Sequence, residues 1–192
     1  MGQPHLKVSF IVSCFDRPNH LACVLRSLQI QTERNFEVIV TDNGKDNNAK
    51  MHEQIVDQLS DSRFRYEHVG FTDCYASANY GAGEAKGEYL CFPSDDGYYG
   101  PRFLTLMLAA RPANLIYSDC VFDGHGRIYA HWDAKPELGC IDKGGFLIKA
   151  SVFPGFNGVP QGECGADGWM IDQVVAAGAS LKKIAGIPWV HN

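Results

Sequence analysis

Short apolar runs and amphipathic segments alternate over roughly the first 110 residues, which is the pattern of a parallel sheet with crossover helices. The apolar runs predict buried strands at 8–12, 36–40, 64–69 and 89–92. After the first run, Pro18 opens a segment whose apolar side chains share one helical face, namely Leu21, Val24, Leu25 and Leu28. Further helices are predicted near 51–59, 73–86 and 103–108. We therefore expect an α/β fold with a mostly parallel central sheet.

After Pro112 the pattern changes to shorter apolar segments separated by turn residues. Segments near 115–118, 121, 128 and 145–149 predict strands, and Asp123–Gly126 predicts a hairpin turn. We expect these strands to form a small antiparallel addition to the central sheet. The Gly-rich stretch 155–168 predicts a mobile loop that orders over bound ligands, and a last helix ends at Gly178. We expect one domain over 1–192, in which a nucleotide-binding half, 1–111, precedes a half for a second substrate, 112–192.

The composition is that of an ordinary globular protein, with 45% hydrophobic and 20% charged residues. The formal net charge of −5 argues against a general nucleic-acid-binding protein, which usually carries a basic face. Seven scattered cysteines without a CxxC pair favour a reducing compartment over a disulfide framework. No apolar stretch approaches the ~18 residues that span a bilayer, and the first residues lack the form of a secretory signal. These features predict a cytoplasmic protein without a membrane span.

The fourth apolar run stops abruptly at two adjacent carboxylates, Asp95 and Asp96, which Gly97 follows. Acids at the carboxyl end of a strand lie in the crevice where open α/β sheets bind ligands. Since adjacent carboxylates repel each other, a divalent cation between them and a phosphate would neutralise the site. The alternative is an ordinary solvated turn, because Asp and Gly are favoured turn residues.

Other candidate ligand-binding residues follow the first two strands. Phe15 can stack on a base, Asp42 can accept a base N–H group, and Arg17 can meet a phosphate. The alternative is that Asp16 or Asn19 caps the helix at Pro18 and that Arg17 is a solvated charge. Because the carboxyl ends of parallel strands share one edge of a sheet, we expect these residues to converge with the two acids.

Several blocks of the chain resemble family 2 glycosyltransferases with the GT-A fold. In order and spacing the similarity is specific over residues 7–104, and it is carried by Val8–Pro18, Phe36–Gly44, Ala78–Gly81, Ala85–Leu90 and Ser94–Asp96. The last of these fills the place of the family's DxD motif. Over 112–192 the similarity is looser, with Gly144–Ile148 and Ala166–Trp169 where later family motifs belong.

The resemblance implies a nucleoside-diphosphate sugar as donor, linked to UDP, GDP or dTDP, and a glycan or other hydroxyl compound as acceptor. It also implies a divalent metal, Mn²⁺ or Mg²⁺, on the donor's diphosphate. Phe15 and Asp42 would then bind the base, while Ser94 and Asp95 would approach the ribose or the diphosphate. The donor-binding residues that it implies are Ser13, Phe15, Arg17, Asp42, Asn79, Ser94 and Asp95.

The same resemblance implies a metal-dependent, inverting transfer of the sugar. Asp96 would ligate the metal, His191 would reach the metal or the diphosphate, and Asp167 would be the general base. A carboxylate in that role takes the proton of the acceptor hydroxyl as the anomeric carbon develops oxocarbenium character. The alternatives are that His191 lies on a frayed tail and that Asp167 is the N-cap of the last helix.

Three departures from the family pattern suggest a rival function. Ser94 replaces the usual first acid, Ala78 stands where an Arg often precedes the Asn, and Ala166 replaces the Glu of a Glu-Asp pair. A nucleotide-sugar-binding protein without turnover would fit these changes. A sugar nucleotidyltransferase is less expected, because the residues after the first strand do not form a Gly-rich basic loop. A purely structural protein is least expected, given acids clustered at strand ends.

Overall fold

Strand β1 (Val8–Cys14) is buried along its whole length, because it lies inside a parallel sheet. It pairs in parallel with β2 (Phe36–Asp42) on one side and with β4 (Tyr89–Cys91) on the other, and β2 pairs in parallel with β3 (Phe64–His68). The computed structural model describes residues 6–70, 73–124, 127–137, 140–157, 166–186 and 188–191.

Three further strands extend this sheet on the β4 side, namely β6 (Leu115–Tyr117), β9 (Phe146–Lys149) and β10 (Leu181–Lys183). The strand order is β10-β6-β9-β4-β1-β2-β3. Only β9 among these strands runs antiparallel to its neighbours, β4 and β6, whereas β6 and β10 are parallel. The predicted mostly parallel α/β sheet with an antiparallel addition is confirmed.

Helices cover both faces of the sheet. They are α1 (Pro18–Gln29), α2 (Asp46–Gln58), α3 (Cys74–Glu84), α4 (Phe103–Leu108) and α5 (Ala166–Ala176). Proline begins α1, and the predicted apolar face of that helix is buried against one core. On that side Phe10 packs in a cluster with Phe36 and Phe103. Ile11 points to the opposite core, which includes Met170 of α5. Alternate residues of β1 therefore serve two separate cores.

A second, smaller sheet consists of β5 (Tyr98–Tyr99), β7 (Cys120–Gly124), β8 (Arg127–Trp132) and β11 (Trp189–His191). The order of these strands in the sheet is β5-β11-β7-β8. β7 and β8 are antiparallel, with Gly124 opposite Arg127, and the predicted turn residues 125 and 126 lie outside the described residues. Most of the predicted loop 155–168 also lies outside them, from 158 to 165.

The helices of the described ranges are all too short or too polar to cross a lipid bilayer.

Candidate functional site

The candidate site lies at the point where the strand order reverses. The chain leaves β1 for β2 and β3 and then returns to the other side of β1 as β4, so a crevice opens between the carboxyl ends of β1 and β4. A bridge between Ser13 and Ser94 joins those two ends. The crevice contains a cavity of about 250 Å³. Its lining consists of Ser13, Cys14, Phe15, Arg17, Asn43, Cys74, Ser94, Asp95, Asp96 and Lys143.

Arg17 lies across the two adjacent acids. Its Nη1 atom is 3.0 Å from Asp96 Oδ2 and 3.5 Å from Asp95 Oδ1. The guanidinium is half exposed, whereas the side chains of Asp95 and Asp96 are only 10% and 19% exposed. A half-exposed cation on the solvent side therefore neutralises two carboxylates that are largely withdrawn from water.

Asp95 and Asp96 differ in their hydrogen bonds and in their charged neighbours. Burial raises the pKa of Asp95, and the charge of Asp96 raises it further, against the lowering effect of Arg17. Asp95 Oδ2 also accepts a long hydrogen bond of 3.4 Å from the Phe15 N–H group. Asp96 Oδ1 is buried and has no hydrogen-bond partner among the described residues. A buried carboxylate oxygen without a donor is costly, and a bound cation would satisfy it. The residues present therefore fit a divalent metal.

The loop after β1 presents an aromatic ring beside the acids. Phe15 is 52% exposed and lines the cavity, so one face of its ring is available to a planar ligand. The next residue, Asp16, has a φ of +52°, a left-handed conformation that Asp adopts more readily than most residues. Its Oδ1 atom accepts hydrogen bonds from the Lys45 N–H group and the Asn48 side chain. Asp16 thus anchors the start of α2 and does not cap α1, whose N-cap is Arg17 without a side-chain bond.

Asp42 lies at the end of β2 but does not line the cavity. Its carboxylate is fully buried and accepts hydrogen bonds from Gly44 N–H at 2.7 Å, Tyr66 hydroxyl at 2.7 Å and, at 2.8 Å, His52 Nδ1. Burial alone would raise its pKa, but these hydrogen bonds outweigh it and lower the pKa. The next residue, Asn43, lines the cavity instead. The predicted contact of Asp42 with a base stays a prediction.

Cys14, Asp42 and His52 form a buried group whose ligand atoms lie within 4.8 Å of one another. The imidazole nitrogen nearest the thiol, 3.8 Å away, is the same Nδ1 that meets Asp42. Burial raises the pKa of the Cys14 thiol, and the charge of Asp42 raises it further. Asp42 Oδ2 already accepts hydrogen bonds from both His52 and Tyr66, so the group is satisfied by its own hydrogen bonds. We therefore place the candidate metal at the cavity acids and interpret this group as a hydrogen-bond network.

Asn79 lies outside the cavity lining. Its side-chain amide pairs with the backbone of Phe156, accepting from the N–H group at 2.8 Å and donating to the carbonyl oxygen at 3.4 Å. The structure thus uses Asn79 to fix the chain after β9 against α3, and its predicted donor-binding role stays untested.

His191 is part of strand β11 and does not lie on a frayed tail. Its Nδ1 atom is 3.0 Å from Asp142 Oδ2, and both side chains are largely buried, at 18% and 15% exposure. Burial lowers the pKa of His191, but the nearby carboxylate of Asp142 outweighs it and raises the pKa, with a contribution from the charge of Asp96. The structure therefore brings His191 into the electrostatic neighbourhood of Asp96.

Asp167 lies in the first turn of α5, inside the helix and not at the N-cap position. Its Oδ2 atom accepts a hydrogen bond of 3.2 Å from the Lys143 N–H group, and Oδ1 accepts one of 3.0 Å from Gly168 N–H. Burial raises its pKa, and the charge of Asp142 raises it further. A carboxyl with a raised pKa is a stronger base than an ordinary one.

Sequence reasoning missed Asp142 and Lys143, and it also missed three residues that line the cavity, Cys14, Asn43 and Cys74. Lys143 lines the cavity while its backbone N–H group bonds to Asp167, so this residue connects the donor side to the candidate base. The only sequence signal for Asp142 and Lys143 is an Asp-Lys pair directly before two glycines at a predicted strand. That pattern is also typical of a plain turn.

Comparisons with known proteins agree on one family. The model described as "Glycosyl transferase family 2" matches residues 9–135, which is more than half of the 192-residue chain. An uncharacterized glycosyltransferase of Rickettsia felis is 31% identical over 113 residues, or 58% of this chain and 18% of the relative. The putative glycosyltransferase EpsH of Bacillus subtilis is 28% identical over 103 residues, or 53% of this chain and 29% of EpsH. The chain thus spans less than a third of these relatives.

Solved structures of other proteins have the same architecture. Residues 1–349 of TarS from S. aureus match with a TM-score of 0.74 and 15% identity, covering 97% of this chain and 60% of that one. TarS has also been solved in complex with UDP-GlcNAc. The mannosyltransferase PcManGT from Pyrobaculum calidifontis, solved with GDP-Man and Mn²⁺, matches with a TM-score of 0.75 and 13% identity, covering 96% and 56%. At such low identities the likeness concerns the fold, and the predicted GT-A fold is confirmed.

Proposed function

Because this chain belongs to glycosyltransferase family 2, we propose that its site transfers a sugar from a nucleoside diphosphate to an acceptor hydroxyl group with the help of a divalent cation. In this proposal residues 1–111 bind the donor, and residues 112–192 bind the acceptor. TarS and PcManGT have been solved with UDP-GlcNAc and GDP-Man respectively, which supports a nucleotide sugar as the donor class.

The observation that carries the proposal is the state of Asp96. One of its oxygens is buried without a partner, and the other pairs only with the half-exposed guanidinium of Arg17 among the described residues. Asp96 and His191 would hold the cation, and oxygen with imidazole nitrogen suits Mn²⁺. When bound, the cation would stabilise the negative charge of the departing nucleoside diphosphate.

Arg17 and Phe15 have donor-binding roles in this proposal. A cation at Asp96 would take over the neutralising role of Arg17, whose guanidinium could then meet a phosphate of the donor. Phe15, half exposed beside the acids, would stack on the base. Ser13 and Ser94 line the same cavity and would lie close to the ribose of the donor.

Asp167 is the proposed general base. As the acceptor oxygen bonds to the anomeric carbon, the bond from that carbon to the diphosphate oxygen breaks, and the acceptor proton passes to the Asp167 carboxylate. Attack from the face opposite the leaving group inverts the anomeric centre. The raised pKa of Asp167 supports this role, because the carboxylate then has a greater affinity for the proton.

Nucleotide-dependent thermal stability tests the proposal. The wild-type protein is heated with UDP, GDP or dTDP, with and without Mn²⁺, beside Asp96→Asn and a control, Asp61→Asn. Asp61 is a partly buried carboxylate in the turn before β3, where it pairs with Arg63. At 100 times the dissociation constant, one nucleotide should add about 2.7 kcal/mol to wild type and Asp61→Asn only when Mn²⁺ is present. The proposed metal site is wrong if no nucleotide stabilises the protein or if Asp96→Asn responds like wild type.

A second candidate function is donor binding without turnover. Ala166 is fully buried in the core beside Met170, so the start of α5 presents only the Asp167 carboxylate where the family has a Glu-Asp pair. Calorimetry that detects donor binding, combined with neither transfer nor hydrolysis of the donor, would favour this function over catalysis.

A further inference from the structure

Lys143 brings a second positive charge to the cavity. Arg17 and Lys143 are the two cationic side chains of the cavity lining, and they belong to the two halves of the chain. Arg17 pairs with Asp95 and Asp96, whereas the ion pairs between described residues do not include Lys143. An anionic ligand can therefore meet the Lys143 ammonium without displacing a carboxylate partner.

Packing against Tyr75 fixes the position of the ammonium group. The Nζ atom of Lys143 lies over the Tyr75 ring, 5.7 Å from the ring centroid, where the face of the ring attracts a cation. Tyr75 is itself held in place, because its ring centroid lies 5.5 Å from that of Phe156 and its hydroxyl group accepts a 3.3 Å hydrogen bond from the Ala166 N–H group. A side chain held in this way loses less conformational entropy on binding a ligand than a freely rotating side chain does.

The backbone of Lys143 is fixed beside the proposed base. Its N–H group donates a 3.2 Å hydrogen bond to Asp167 Oδ2, and the residue begins the 3₁₀ turn Lys143–Gly145. A Cβ atom at Gly145 would be 2.9 Å from the Trp189 ring, so only glycine permits this close packing of the turn. Lys143 thus joins the cavity to the carboxylate that would take the proton of the acceptor.

Helix α3 supplies no positive charge of its own at this side of the cavity. Cys74 lines the cavity, and the only charged residue of the helix is Glu84, in its last turn. Ala78, where an arginine often stands in the family, is fully buried. Because a helical side chain covers the turn before its own Cα atom, an arginine at position 78 would extend toward Cys74 and Tyr75. The Lys143 ammonium, which lies over the Tyr75 ring, reaches that region from another part of the chain.

We propose that the Lys143 ammonium binds the outer phosphate of the donor's diphosphate, the phosphate that carries the sugar. Lysine offers three N–H donors on a positive charge, and phosphate oxygens are strong acceptors for such donors. The backbone contact with Asp167 favours the outer phosphate, because the base and that phosphate both act next to the anomeric carbon. When the bond from that carbon to the diphosphate oxygen breaks, the electron pair stays on the oxygen, and the ammonium group would stabilise the negative charge. The inference rests on the proposed function, since it assumes a nucleoside diphosphate in the cavity.

Two substitutions at position 143 separate the charge from the packing of the side chain. Lys143→Met removes the ammonium group and keeps an unbranched aliphatic side chain, whereas Lys143→Arg keeps the positive charge. Lys149→Met is the matched control, because the Lys149 ammonium also lies over a tyrosine ring, 6.0 Å from the centroid of Tyr89. Lys149 is not among the residues that line the cavity.

The first measurement is the affinity for UDP, GDP, dTDP and their monophosphates in the presence of Mn²⁺, by isothermal titration calorimetry. Lys143→Met should weaken binding of the preferred diphosphate about 10–100-fold, because a hydrogen bond to a charged group is lost, and should weaken binding of the monophosphate less. Lys143→Arg should recover most of that loss, and Lys149→Met should bind like wild type. Wild-type affinity in Lys143→Met overturns the inference, and so does an equal loss for monophosphate and diphosphate. A Lys143→Arg protein as weak as Lys143→Met overturns it as well, since the positive charge would then not matter.

The second measurement is Mn²⁺ affinity without nucleotide, by electron paramagnetic resonance. Lys143→Met should leave this affinity unchanged or raise it, because the substitution removes a positive charge from the cavity of Asp96. A loss of Mn²⁺ affinity would mean that the substitution disturbs the proposed metal site, and it overturns the inference. Wild-type nucleotide affinity in Lys143→Met, with loss in Asp96→Asn, overturns this inference alone. If the wild-type protein binds none of the three diphosphates, the proposed donor site is wrong as well.

Discussion

The buried carboxylates at one edge of the sheet have two opposite kinds of surroundings. Asp42 receives hydrogen bonds from Gly44, His52 and Tyr66, which lower its pKa although it is fully buried. Burial and like charge instead raise the pKa of Asp95 and of Asp167. Asp42 thus has donors that offset its burial, whereas Asp95 and Asp167 lie beside other negative charges and one oxygen of Asp96 has no partner among the described residues.

This difference distinguishes a carboxylate that stabilises the fold from carboxylates that are suited to bind a ligand. A buried carboxylate with all its donors stabilises the native state and has little need of a ligand. Carboxylates left with neighbouring negative charge or an unpartnered oxygen cost stability until a cation or a proton arrives. Asp95, Asp96 and Asp167 therefore suit the roles proposed for them, whereas Asp42 supports β2 and α2.

The largest expected effect is that of Asp167→Asn on turnover. Removing the proposed base should lower the transfer rate by roughly 10²–10⁴-fold, while the fold persists because the amide oxygen can still accept a backbone N–H group. Steady-state kinetics measure the transfer rate, and a melting curve measures the stability of the fold. Asp172→Asn, an exposed acid on the same helix, is the matched control and should change neither. Wild-type turnover in Asp167→Asn would remove this residue from the mechanism.

Asp42→Ala should have the largest effect on stability. The change leaves the His52 imidazole and the Tyr66 hydroxyl buried without their acceptor, at about 1–3 kcal/mol for each group. Urea unfolding measures the loss. Asp95→Ala is the comparison, and it should be less destabilising because it removes a buried charge beside another of the same sign. Equal losses at the two positions would contradict the distinction between the two kinds of surroundings.

Tyr66→Phe should cost less, about 1.5–3 kcal/mol, because it removes one hydrogen bond to a charged group. The loss should depend on pH. Since the folded pKa of Asp42 lies below its ordinary value of 3.8, the stabilisation is present above that value and is lost as pH falls through the folded pKa. Unfolding free energies of wild type and variant should therefore differ most at neutral pH and converge in acid. If the difference in unfolding free energy between wild type and Tyr66→Phe is constant across this pH range, the lost hydrogen bond to Asp42 does not account for the destabilisation.

The smallest expected effect is that of Arg17→Gln on the stability of the free protein. Its guanidinium is 54% exposed, and ion pairs in such positions contribute at most about 1 kcal/mol. Arg26→Gln, an exposed arginine on the same helix, is the control. Nucleotide affinity should fall in Arg17→Gln and not in the control, as calorimetry with UDP or GDP would measure. If the two variants bind the nucleotide with equal affinity, Arg17 serves only as a counter-ion of Asp95 and Asp96 and does not bind the donor.

The positions of the residues proposed to bind the donor could largely be predicted, because they depend on local sequence pattern. Apolar runs identify β1 and β4, and parallel strands bring their carboxyl ends to one edge, so Ser13, Phe15, Arg17, Asp95 and Asp96 meet around the cavity as expected. Strands β5 and β11 are too short for any periodicity to predict. Their pairing is what carries His191 from the end of the chain to the neighbourhood of Asp96.

The sequence by itself determined the alternation of strands and helices, the family and the chain positions of the acids, because hydrophobic periodicity and short motifs are local properties. Only the tertiary structure decided that Asp42 is enclosed by His52 and Tyr66, and that Asp142 meets His191. These contacts join residues far apart in the chain. Hydrogen-bond partners, burial and like-charge neighbours arise from such contacts, and these three determine whether a carboxylate supports the fold or awaits a ligand.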